Sequence, residues 1–214
     1  MSKKSKIIIY VLLTLVAIYF LFPFIYMFFS AFKTEAEAVA YPPNFFPENW
    51  NWGNFIDAWK AQPFGKFFLN SLTVTVLSAV GSMASAAVVA YGFARYNFKG
   101  KNILFMILLS TMMIPWDVTM IPQYMEFKWF GWINTLKPLI VPSWFGSAYY
   151  IFLMRQFLAG IPRDYEEAAR IDGANDFQIF YKIFVPIMKP SLILVGVLNM
   201  IAAWNDYLGP LIFL

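Results

Sequence analysis

The chain has 214 residues, of which 60% are hydrophobic and 13% charged, with a mean hydropathy of +0.60. Soluble domains carry about twice that share of charge, ~25%, so the composition excludes an ordinary soluble domain and indicates an integral membrane protein. Cys and His are absent, which excludes disulfides, Cys/His zinc sites and triads that need imidazole; the net charge of +4 reads as the uneven Lys and Arg of membrane spans, not as nucleic-acid binding.

A basic head, Met1 to Lys6, precedes an uncharged run from Ile7 to Phe32. A span needs about 20 residues, so 7–32 is the first expected span. A signal peptide is the competing reading, but the run is long and no small-x-small cleavage site closes it. Pro23 predicts a kink that neighbouring helices tolerate.

Lys33 to Lys66 is polar, aromatic and broken by prolines. Trp50, Trp52 and Trp59 suit the headgroup level, so interfacial turns are expected there. The second span, 67–94, has a small, polar middle from Ser78 to Ala87. Small residues let helix backbones approach closely in lipid, which places this helix at the centre of a bundle, with Ser82 and Ser85 packing or lining a polar path. A basic loop, Arg95 to Lys101, leads to a third span over 102–123, whose outer end Pro115 and Pro122 should bend. Asp117 reads as an interfacial carboxylate, a functional one inside the membrane being the other reading.

The fourth span is expected over 138–155 and the fifth over 190–207. Leu211 to Leu214 resembles the start of a sixth, expected to be missing from this chain. Eleven Lys and Arg fall in the head, the 95–101 loop and the 155–189 segment, against five in the 33–66 and 117–137 loops. That asymmetry places the N-terminus and the 156–189 loop in the cytoplasm.

The cytoplasmic loop carries the chemistry. Asp164 and Glu167 have capping-box spacing, and acids at 164, 166 and 167 suit a helix start, so a helix is expected from Tyr165 to Ala174. Ala168, Ala169, Gly173 and Ala174 give it a surface with little side chain, able to lie in a groove of another protein. Gly173 costs about 1 kcal/mol of helix propensity, which a packing need or a helix end would explain. A second helix is expected over 176–184, with Phe177, Phe180, Tyr181 and Phe184 on one apolar stripe. A solvated amphipathic loop is the plain alternative.

Glu167-Ala168-Ala169, Gly173 and Ile183-Phe184-Val185-Pro186 resemble the EAA motif of permease subunits of bacterial ABC importers (EAA-x3-G-x9-I-x-L-P), with Val185 in place of Leu. Glu166 to Ala174 (EEAARIDGA) is similar to the carbohydrate, MalG-like branch, as are MMIP at 112–115, IPQY at 121–124 and WNDYLGPL at 204–211. The resemblance implies an all-α multi-span bundle of the MetI-like type I importer fold forming one transmembrane domain over 1–214. It implies a non-enzymatic permease that moves a sugar or oligosaccharide by alternating access in the bacterial inner membrane. Glu166, Glu167, Ala168, Ala169, Asp172, Gly173, Ala174, Ile183 and Pro186 would couple it to an ATPase. The implied partners are a cytoplasmic ABC ATPase dimer, a second permease and an extracellular solute-binding protein.

The chain has no G-x-x-x-x-G-K-[ST] phosphate loop, so it is expected to carry no cofactor, ATP and Mg belonging to the ATPase. Asn199 is the candidate solute contact. A glycerol-phosphate ester is the alternative solute, against which the lack of Lys or Arg inside the expected spans leans. A passive channel or scaffold would leave the EAA segment without a purpose.

Overall fold

A computed structural model describes residues 3–214. Its secondary structure is helical throughout, with no strand among the described residues, as the bundle expectation requires. The chain divides into two compact units, Met1–Lys66 and Phe67–Leu214.

In the first unit, helix α1 (Lys3–Ser30) runs unbroken through Pro23 and buries none of its side chains. Its length and apolarity suffice to cross a membrane. Beyond its C-terminus, Asn54 Nδ2 donates to the carbonyls of Ala31 (3.0 Å) and Lys33 (2.8 Å). These bonds satisfy carbonyls of the turn that follows α1. Lys33 is buried; its ammonium donates to the Asn44 carbonyl and lies 4.6 Å from the Tyr26 ring centroid. The short helix α2 (Glu35–Ala38) carries a capping box between Thr34 and Glu37. Helix α3 (Gly53–Ala61) follows, with Ile56 and Trp59 exposed.

The second unit is built on α4 (Phe64–Arg95), a second helix long and apolar enough to cross a membrane. Its small middle is its buried face: Ser78, Ala79, Gly81, Ser82, Ala86, Ala87 and Ala90 are all buried. A Cβ on Gly81 would collide with the Trp144 indole, and one on Gly196 would meet Met83 Sδ at 2.8 Å. A neighbouring side chain seated directly on the helix backbone therefore accounts for both glycines.

The expected 102–123 span comes as α5 (Lys101–Ser110), a 3-10 turn (Thr111–Met113) and α6 (Trp116–Trp129), bent by 97°. The bend falls at Ile114, extended at ψ 112° ahead of Pro115, because a residue before proline avoids the helical region. Pro122 stays inside α6. Over 138–155 the chain forms α7 (Lys137–Ile140), a 3-10 turn (Val141–Phe145) and only then α8 (Ala148–Ala159). Gly146, at φ +96°, separates the last two. The 190–207 segment is α12 (Lys189–Trp204), followed after a break by α13 (Leu208–Phe213). The core of this unit includes Met154, Leu158, Ile179, Phe184, Met188 and Val195, all fully buried.

Candidate functional site

The charged segment after α8 folds into a knob. Helix α9 (Asp164–Ile171) places Asp164, Glu166 and Glu167 in its first turn and Arg170 in its last, an arrangement that favours the helix dipole. The expected capping box on Asp164 is not formed. Arg163 occupies the N-cap position and makes no side-chain cap bond; Asp164 is already the first helical residue. The knob's capping box lies one element later, where Asn175 and Gln178 cap α10 (Asp176–Gln178) reciprocally.

Helix α9 ends earlier than the expected Ala174. Ala174 N–H donates to the Ala169 carbonyl at 2.9 Å and Gly173 N–H to Arg170 at 3.1 Å. That pair of bonds is a Schellman ending, which needs a left-handed residue, and Gly173 supplies it at φ +81°. A Cβ there would meet nothing within 4 Å, so within this chain Gly173 serves the helix end and not a close contact.

The expected helix over 176–184 is mostly a π-helical turn, Ile179–Phe184, leading into α11 (Val185–Ile187). The wider turn divides the predicted aromatic stripe in two. Phe180 and Phe184 turn inward, 5.0 and 5.2 Å from the Tyr91 ring centroid. Phe177 and Tyr181 turn outward and stack on each other at 6.3 Å.

Arg95, the last residue of α4, fixes the knob to the bundle. Its side chain is 4% exposed, and its Nε lies 3.2 Å from Oε1 of Glu166, itself 13% exposed. Neither atom completes a well-aligned hydrogen bond, so this is an ion pair held by position. Arg95 Nη2 donates to the carbonyls of Leu158 (2.7 Å) and Ile161 (3.0 Å) at the turn that ends α8, where the Leu158 carbonyl also accepts the Ile161 N–H. The guanidinium also lies 4.6 Å from the Phe184 ring centroid, a cation–π contact. One side chain thus ties together α4, α8, α9 and the π turn.

The predicted coupling residues divide accordingly. Glu166 and Ala169 face inward, and Ala174 and Ile183 are half-buried. Glu167, Ala168, Asp172, Gly173 and Pro186 are exposed. Ala168, Asp172 and Ile183 also line a hollow of about 640 Å³ beside Tyr165. Ile171 is 86% exposed, a large apolar side chain projecting beside the small ones, and it escaped the sequence reading. On the outer side of the knob Arg170 pairs with Asp176 at 2.5 Å. Asp176 also faces Tyr96: burial, followed by the nearby carboxylate, raises the Tyr96 hydroxyl above the usual 10.0.

Asn199, the predicted solute contact, is used between helices. Its Nδ2 donates to Ser82 Oγ at 3.0 Å and its Oδ1 accepts from Ser78 Oγ at 3.1 Å. The amide also borders a cavity of about 700 Å³, with Gln123, Trp116 and Asp206 on the wall. The described residues include no cluster of acids able to hold a metal ion.

Residues 85–214 match the family described as binding-protein-dependent transport system inner membrane component. The chain is 30% identical over 210 residues to the diacetylchitobiose uptake system permease NgcG of Streptomyces coelicolor, covering 98% of this chain and 69% of that one. It is 31% identical to the arabinooligosaccharides transport system permease AraQ of Halalkalibacterium halodurans, covering 100% and 79%. Among solved structures it superposes at TM-score 0.86 and 27% identity on a chain of a bacterial ABC transporter involved in the import of the acidic polysaccharide alginate, covering 100% of this chain and 76% of that one. The chain therefore belongs to the binding-protein-dependent inner-membrane transport family and is the permease subunit of an ABC importer.

Proposed function

We propose that this permease moves a sugar or oligosaccharide and that the 162–190 knob is its docking point for a separate ATPase. The Arg95 clamp is the observation that carries the docking reading. A knob with only a solvated role has no need of a buried ion pair, two carbonyl bonds and a ring contact tying it to α4 and α8. The face left outward, with Glu167, Ala168, Ile171 and Asp172, offers small contours, one apolar projection and acid charge to a groove in the partner. Closure of an ATPase dimer, with ATP and Mg bound there, would move the knob and the helices it grips as a rigid body. The N-terminus and the knob lie on the cytoplasmic side, as Lys and Arg counting requires, and the 33–66 and 117–137 loops face the delivering solute-binding protein. A second permease completes the passage.

The carbohydrate assignment is supported by relatives named for diacetylchitobiose and arabinooligosaccharides, and by a cavity with amides and an indole on its wall. The test replaces Ala168 with Trp on the exposed face. The intact transporter should then lose the ATPase on purification and lose solute-stimulated hydrolysis, while the permease still inserts. Full copurification with normal stimulation would rule out docking at this face. Uptake of labelled oligosaccharides, competed by glycerol phosphate, separates the sugar from the phosphate-ester reading.

A further inference from the structure

Between the loop after α4 and the C-terminal half of α8 lies a cavity of about 480 Å³, lined by Asn97, Phe98, Gly100, Lys101, Ile103 and Arg155. The charge on its wall is all positive. The Arg155 guanidinium sits 4.1 Å from the Phe105 ring centroid, and its Nε is buried without a hydrogen-bond partner. Lys101 gives one hydrogen to the Tyr96 carbonyl at 2.8 Å, leaving two more to donate. Burial first, then the charges of Arg155 and Arg163, hold the Lys101 ammonium below its ordinary pKa. The ion pairs among the described residues, Arg95–Glu166 and Arg170–Asp176, use none of these three cations. Helix α5 also begins at this cavity, and Gly100 at φ +83° caps its first turn with no side chain, so its amides add to the positive field.

Unneutralised cations with a buried, unpaired Nε call for an anion. The continuation of α5 selects the kind. Ile103, Leu104, Met106 and Ile107 are each at least half exposed, so an apolar track leads away from the charged end. A free phosphate would fill the cavity alone; a phospholipid would use both cavity and track.

We propose that this cavity binds a phosphate group, and that its resident is the headgroup of an anionic phospholipid whose acyl chain lies along α5. The site needs only the membrane setting of the family and stands apart from the docking role of the knob. Basic pockets beside spans on the cytoplasmic side commonly take such headgroups.

The intact transporter, reconstituted with phosphatidylcholine and phosphatidylglycerol, tests this by native mass spectrometry of retained lipid. Wild type should retain phosphatidylglycerol in preference. The Lys101→Gln/Arg155→Gln double variant should lose the preference, by about fivefold for each charge removed. The charge-keeping pair Lys101→Arg/Arg155→Lys should retain it. Equal retention by wild type and the double variant overturns the site. Should the double variant fail to assemble, Lys101→Gln alone decides by the same readout. Added inorganic phosphate separates the sources: a lipid resident survives millimolar phosphate. Displacement of phosphatidylglycerol by that phosphate keeps the anion site and overturns the lipid as its resident.

Discussion

Arg95 and Glu166 are 71 positions apart in sequence, yet Nε and Oε1 lie 3.2 Å apart in a nearly closed pocket. The neighbouring carboxylate, Glu167, points out to solvent. Two consecutive acids therefore hold opposite posts, one bracing the knob and one facing outward.

Glu166→Gln should leave the Arg95 charge buried with only carbonyls and a ring for company. Removing one partner of a buried pair costs about 3–5 kcal/mol, and thermal unfolding of the purified permease should show a loss toward that size. Glu167→Gln should stay within about 0.5 kcal/mol of wild type, as exposed changes do, while weakening ATPase association in pull-downs. Equal destabilisation by both would contradict the division of roles.

Gly173→Ala should cost about 1–2 kcal/mol, because an ordinary L-residue pays that for the left-handed region. Gly173→Asn should cost less, since Asn enters that region more readily. Limited trypsinolysis at Arg170 and Lys182 reports the knob's opening. A rate for Gly173→Ala equal to wild type would mean that the Schellman ending does not set knob stability.

Asn199→Leu should remove two interhelical bonds and strand the Ser82 hydroxyl, while Ser78 keeps its bond to the Thr75 carbonyl. Interhelical polar contacts in membranes are worth about 0.6 kcal/mol on average and reach ~2, so a modest fall in unfolding midpoint is expected. Asn199→Asp, isosteric but placing a carboxyl group inside the bundle, should lower the midpoint more than Asn199→Leu, even though the Ser78 and Ser82 hydroxyls can both donate to it. If solute affinity drops in both while the midpoint holds, the amide belongs to the passage and not to packing.

Tyr96 supplies a pH dependence. Its folded pKa is raised above 10.0, first by burial and then by Asp176. A raised folded pKa gives stability that is complete below the unfolded value and is lost as pH rises through the folded one. The wild-type midpoint should thus decline above about pH 10 more steeply than that of Tyr96→Phe. Parallel profiles for the two proteins would remove Tyr96 from the account.

Much of this was written in local sequence. The small stretch Ser78–Ala87 announced a buried central helix, and α4 buries that face. Acids at 164, 166 and 167 announced the start of α9; Gly173 left a packing need and a helix end both open, and the helix stops at Ile171 instead of running to Ala174. What escaped has a nonlocal cause. Nothing near Arg95 tells that it meets Glu166, Leu158 and Phe184, because folding alone brings those positions together. The π turn escaped because the 3.6-residue period put four aromatics on one face, and one wider turn separated them. The breaks within 102–123 and 138–155 were half visible: Pro115 marks the first, but the turn at Gly146 carries no apolar signal to read.

The contact between Gly81 and Trp144 has a mechanical meaning. Gly81 lies fourteen residues from Arg95 and seventeen from Phe64, the two ends of α4, ~21 Å and ~26 Å at 1.5 Å per residue. If α4 tilts about the indole seated on Gly81, it behaves as a balance beam with a slightly longer outer arm. A displacement delivered at the Arg95 clamp then reappears at the far end in the opposite direction and about a fifth larger. Narrowing on one side of the membrane and widening on the other would be a single stroke.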